Sequence, residues 1–169
     1  MSLYYLNFLI PIVLVISLFL SWKNINARFL ILSYMFVEVL SLTTYSLAKS
    51  MPIGFYLWSM FISLIFLIFV FGRRFWAFKL SRFGFFKLAY EQHKYSVQEA
   101  ALVFIFSISV LINLITFFEV YFYSMYWIDN AYIKLYVRDY AHSIVNIVAA
   151  IVCLSYSFKS VQNSYRNFT

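Results

Sequence analysis

GRRFWAFKLSRFGFFKLAYEQHKYSVQ, residues 72–98, is the one long break in an otherwise apolar chain, and it carries Arg73, Arg74, Lys79, Arg82, Lys87 and Lys94. It separates three hydrophobic runs from two. Bilayers keep clusters of Lys and Arg on their cytoplasmic face, so this segment sets the expected orientation of every run around it.

Outside that stretch, charge is scarce. Of 169 residues, 64% are hydrophobic and only 11% charged, against about a quarter charged in an ordinary soluble domain. The runs are near twenty residues long and apolar on all sides, which matches a hydrocarbon core about 30 Å thick and does not match the polar/apolar alternation of a membrane β-barrel. The expected class is an all-α integral membrane protein, one transmembrane domain over residues 1–169, with residues 73–98 as a basic, aromatic cytoplasmic connection. The net charge of +7 follows from loop topology and gives no reason to expect nucleic acid as the primary partner. Cys153 is the only cysteine, which excludes intrachain disulfides and cysteine zinc sites. The first run lacks a basic leader and an A-x-A cleavage pattern, so it reads as a retained helix.

Taken in order, the first span runs from Leu3 to Trp22, with Pro11 inside it as an expected kink. The second covers about Phe29–Leu47 and the third about Phe55–Gly72, joined by Lys49-Ser50-Met51-Pro52-Ile53-Gly54. The third helix is expected to continue past the interface and break near Gly84. Ser96-Val97-Gln98-Glu99 fits a capping box and starts the fourth helix, which extends toward Trp127. Tyr121, Tyr123, Tyr126, Trp127, Tyr132, Tyr136 and Tyr140 suit an interfacial aromatic belt around a turn at Asp129-Asn130. The last helix returns through about Val137–Phe158. Five spans with the N-terminus outside and the C-terminus inside place Lys23, Arg28, the six cations of the central segment, Lys159 and Arg166 in the cytoplasm. Lys49, Lys134 and Arg138 are left outside. The membrane this suits best is a bacterial inner membrane.

Within the spans, polar residues fall on stripes. Glu38 stands ten residues beyond Arg28, about 15 Å along a helix and near mid-bilayer, on a face with Tyr34, Ser41 and Tyr45. An ionised group there costs several kcal/mol unless paired, hydrated or protonated. Ser109, Asn113 and Thr116 share a face of the fourth helix; His142, Asn146, Ala149, Ala150, Cys153 and Ser157 form a small, polar stripe on the fifth. An antiparallel hairpin turning at Asp129-Asn130 brings Asn113 level with Asn146 and allows an outer-leaflet ion pair between Glu119 and Arg138. Such stripes either glue helices together or, repeated around an oligomer axis, line a pore. Asn146, His142, Cys153, Glu38 and Asn113 are the candidate pore or ion-path residues.

Arg73, Arg74, Lys79, Arg82 and Lys87 are candidates for lipid-headgroup contact, or for a cytoplasmic partner or anionic ligand that gates the membrane part. His93 and His142 lie too far apart in this topology to ligate one transmembrane haem, and neither cofactor nor metal is expected. The absence of G-x-S-x-G, H-E-x-x-H, P-loop and dinucleotide patterns argues against an enzyme. A central glutamate in the second helix resembles the smallest proton-channel subunits of respiratory complex I, although the third span lacks the second buried acid of that pattern. The design as a whole is similar to small membrane effectors of bacterial antiphage systems, which implies an antiviral defence role. The expectation is a small homo-oligomeric channel or pore-forming protein, with an accessory subunit of a larger membrane complex as the alternative.

Overall fold

The computed structural model describes residues 4–91 and 95–166, with side chains described for 9–91 and 95–159. His93, Lys94 and the Arg166 side chain lie outside that set. The helices are α1 (Tyr4–Leu20), α2 (Ile25–Lys49), α3 (Gly54–Phe71), α4 (Arg73–Lys79), α5 (Gly84–Glu91), α6 (Val97–Ser124), a π turn at Ile133–Val137, and α7 (Arg138–Arg166). Among the described residues there is no strand. Four helices are long and apolar enough to cross a bilayer: α2, α3, α6, and α7 with its leading π turn. The chain is thus an all-helical, multi-pass membrane protein. At 17 residues, α1 spans about 25 Å and is shorter than a typical hydrocarbon core.

Capping chemistry sets several boundaries. Asn24 Oδ1 accepts from the N–H groups of Asn26 (3.0 Å) and Ala27 (3.2 Å), so α2 begins at Ile25, four residues before the expected start. Ser96 Oγ accepts from Glu99 N–H at 3.1 Å, and Glu99 Oε2 accepts from Ser96 N–H at 3.3 Å. This is the reciprocal box expected at the head of α6. That helix ends at Ser124, before Trp127, because Tyr126 takes a left-handed conformation (φ 59°). The N–H of Trp127 reaches back to Phe122 C=O, and that of Tyr126 to Tyr123 C=O. The Trp127 ring stacks on Phe122 with centroids 5.4 Å apart. Together these make a Schellman termination with its usual apolar contact.

Gly72 interrupts α3 without ending the helical path. Its N–H donates to Ile68 C=O at 2.8 Å, and its own carbonyl accepts from Trp76 N–H at 2.9 Å. The helix therefore carries on as α4, and the real break falls at residues 80–83 rather than at Gly84, which opens α5. Rather than hanging free, α5 folds back on α2. Ala77 and Ala89 are buried with Ile25 and Phe29, and Phe85 and Phe86 pack against them.

Helices α1, α2, α3, α6 and α7 close a ring in which α1 meets α2, α2 meets α3, α3 meets α6, α6 meets α7, and α7 returns to α1; α2 also touches α7. Buried positions of α6 are Glu99, Leu102, Phe106, Ser109, Asn113, Thr116 and Val120. Their alternating steps of three and four residues are the spacing of a left-handed coiled-coil seam. On the facing helix, Ser63, Phe66 and Val70 continue through Gly72 to Arg73 and Ala77 with the same rhythm. The register is antiparallel and constant. Ser63 Oγ lies 3.1 Å from Ser109 Oγ, the Phe66 and Phe106 rings stack at 4.0 Å, and Arg73 bonds Glu99; the residue numbers of each pair add to the same total. Small serines let the backbones approach. The ring's interior is filled by Leu30, Ile31, Tyr34, Phe66, Phe106, Ala149 and Cys153, so the described residues pack the centre of the bundle.

Candidate functional site

The polar groups of the bundle gather at three levels: a node halfway along it and an arginine clamp at each end. Halfway along α2, Tyr34 is buried with its ring edge-on to Phe66 (5.9 Å) and Phe106 (5.4 Å). Its hydroxyl has no hydrogen-bond partner among the described residues; Glu38 follows one turn along the same helix, and Cys153 belongs to the same buried cluster. A buried hydroxyl left without a partner costs about 1–3 kcal/mol. Glu38, Ser41, His142 and Asn146 are half-buried, whereas Asn113, Cys153 and Ser157 are fully enclosed. Ser157 Oγ donates to Cys153 C=O at 3.0 Å and to Ser17 C=O of α1 at 2.9 Å. The small stripe of α7 thus faces α1 and α2 within the same chain.

At the end carrying α4 and α5, Arg73 and Glu99 form a salt bridge with Nη1 to Oε1 at 2.6 Å and side chains only 2% and 3% exposed. Arg73 Nη2 also donates to Asn26 Oδ1 at the head of α2, and the guanidinium sits over the Phe29 ring at 4.9 Å. Burial pulls the Arg73 pKa below its ordinary value while Glu99 pulls it back up; a guanidinium with so high a starting pKa stays charged. Glu99 therefore has two tasks, one oxygen capping its own helix and the other holding Arg73. This corrects the placement of Arg73 among surface contacts: it is an internal clamp joining α2, α4 and α6. Arg74, Lys79, Arg82 and Lys87 are exposed as expected. Arg74 lies over Tyr90 (5.7 Å) and Lys79 over Phe75 (5.9 Å).

The opposite end has its own arginine. Arg138 Nε donates to Asn113 Oδ1 (3.4 Å), Nη2 to Ser59 Oγ (3.4 Å) and Nη1 to Asp139 Oδ1 (3.0 Å). Its guanidinium packs over Phe55 (4.7 Å) and Tyr56 (5.0 Å). Glu119 turns instead to backbone, accepting from the N–H groups of Ile133 and Lys134, both at 2.8 Å. The Glu119–Arg138 ion pair expected here is accordingly replaced by a carboxylate cap and a separate arginine clamp. Both sets of contacts put the pivot of the α6–α7 hairpin near residue 126, ahead of Asp129-Asn130. That shift takes Asn113 to the level of Arg138 and Asp139, away from Asn146. The early pivot comes from the left-handed turn at Tyr126, which no glycine or proline announces.

Sequence reasoning missed the pairing of Glu99 with Arg73 because Glu99 already had a local explanation as a cap. The available signal was the 3–4 rhythm that runs from Ser109 down to Glu99. Among the described residues, no three of His, Cys, Asp and Glu gather as a metal site would need. No family model matches the chain, and neither a curated protein nor a solved structure matches it.

Proposed function

We propose that this protein changes the ion permeability of its membrane as a small homo-oligomer of five spans, N-terminus outside, with the basic α4–α5 segment in the cytoplasm as the place where a partner or anionic ligand acts. The observation that carries the reading is the mid-bundle node: a buried Tyr34 hydroxyl with no partner among the described residues, one helical turn before the half-buried Glu38 on α2. Polar groups at that depth are costly in lipid and are kept where ions or protons pass. The half-buried Glu38, Ser41, Asn146 and His142 supply polar atoms along α2 and α7 between that node and the tyrosine-rich end. Since aromatic rings fill the single bundle, a path runs along this edge or between copies.

The test is proton and potassium flux in proteoliposomes, together with the oligomeric state in lipid nanodiscs. An oligomer that leaks above empty vesicles, with flux at least about tenfold lower in Glu38→Gln at equal assembly, supports the proposal. A folded monomer with no flux above empty vesicles removes it. One observation favours a second reading, an accessory subunit of a larger membrane complex. Asn113, Cys153 and Ser157 are enclosed within the chain, while the exposed face of α6 between Phe104 and Phe118 is the apolar row Phe104, Leu111, Ile115 and Phe118. Co-purification at fixed stoichiometry with other membrane subunits would select that reading.

A further inference from the structure

A groove of about 200 Å³ opens between α2, α3, α4 and α5, lined by Phe29, Leu32, Phe36, Phe69, Trp76 and Phe86. Its one hydroxyl, Ser33 Oγ, donates to Phe29 C=O at 2.9 Å, so apart from the Trp76 indole the lining is apolar. Leu32 and Phe36 are exposed and open it sideways toward lipid. Arg28 stands at one end, stacked over Phe85 (4.7 Å), itself a wall of the groove, and over Trp22 (5.0 Å). Its guanidinium donates to the Trp22 carbonyl at 3.3 Å, and among the described residues it forms no salt bridge with a carboxylate. From Arg28 to Phe36 is eight residues, about 12 Å along α2 toward mid-bundle. The groove is therefore cationic at one end and apolar along its length.

We propose that it holds one anionic diacyl phospholipid, with its phosphate on Arg28 and one acyl chain along Phe36 and Phe69. The surrounding charge favours an anion. With Arg73 consumed by Glu99, the α4–α5 stretch still exposes Arg74, Lys79, Arg82 and Lys87 against a single acid, Glu91. Arg82 and Lys87 flank the Phe85-Phe86 wall in sequence. Arginine matches phosphate oxygens with two parallel N–H donors, and the two rings that sandwich Arg28 hold its guanidinium in place. A soluble anion would use the cation and ignore the aromatic groove; a zwitterionic lipid would use the groove and gain little from the charge.

Native mass spectrometry of the purified full-length protein tests this, with phosphatidylglycerol, phosphatidylcholine of the same chains, and glycerol phosphate as probes. Phosphatidylglycerol should be retained at least about fivefold over phosphatidylcholine, the effect expected of one interfacial cation. Arg28→Gln should bring the two lipids close to parity, and Phe36→Ala should weaken both, with unfolding profiles showing that the variants stay folded. Lys49→Gln, on the far side of the bundle, should change neither. Equal retention of the two lipids by the unmodified protein, or a preference untouched by Arg28→Gln, would overturn the proposal. Glycerol phosphate competing as well as the lipid would also overturn it, by reassigning the site to a soluble anion.

Discussion

Removing one member of the Arg73–Glu99 pair should damage the protein far more than removing both. The pair is almost completely enclosed, at 2% and 3% exposure, and breaking a buried ion pair by deleting one partner costs about 3–5 kcal/mol because a charge is stranded. The two single variants should differ. Arg73→Met leaves a carboxylate that can take up a proton and still cap α6, so its cost belongs at the low end, about 3 kcal/mol. Glu99→Gln strands a guanidinium that cannot deprotonate and belongs at the high end. The double variant Arg73→Met/Glu99→Gln strands no charge, although it loses the Arg73 donor to Asn26, and glutamine keeps the capping interaction with Ser96. Its loss should be about 1–2 kcal/mol, well below the sum of the singles, a coupling of at least about 2 kcal/mol. Equilibrium unfolding in mixed micelles, read by tryptophan fluorescence, measures all four corners of the cycle. Singles within about 0.5 kcal/mol of wild type, or an additive double, would mean that Arg73 is a solvated surface cation, and the clamp at this end of the bundle would have to be abandoned.

Other consequences are easier to reach. Cys153 is fully buried, so a charged maleimide should label it only upon unfolding; fast labelling of the folded protein would put α7 along a water-filled path and against the packing described above. Tyr126→Gly should be neutral or stabilising by up to about 1 kcal/mol, because Tyr126 holds a left-handed conformation while almost wholly exposed and glycine adopts it without steric penalty; a clear loss in thermal midpoint would contradict this. Gly72→Ala should cost about 1–3 kcal/mol, since a Cβ there would lie 2.7 Å from Ile68 C=O and 2.9 Å from the Trp76 ring nitrogen. An unchanged midpoint would show that the α3–α4 junction relaxes freely. Glu119→Ala should loosen the start of the returning helix by exposing the N–H groups of Ile133 and Lys134, visible as faster amide exchange there than in Asp129→Ala.

Much of the architecture was legible in one dimension because each signal was local. Apolar run length marked the long helices, Ser96 and Glu99 marked the start of α6 from side chains three residues apart, and the clustering of cations marked the segment between α3 and α6. What could not be read was register. A stripe such as Ala149, Cys153 and Ser157 looks the same whether it faces a neighbouring copy or the chain's own α1, and only the closed ring of helices assigns it to the interior. Arg73 looked like one more cation in a basic segment until α6 crossed α3 in antiparallel register and set Glu99 opposite it. The same limit explains Glu119 and Arg138, close in the expected hairpin yet bound to different partners once the turn moved to Tyr126. By itself the sequence determined the class of protein and the ends of several helices, because hydrophobicity and capping act over a few residues. Tertiary structure alone decided which polar groups are paired inside the bundle, because that depends on how helices distant in sequence slide and rotate against one another, and a shift of a few residues changes every partner.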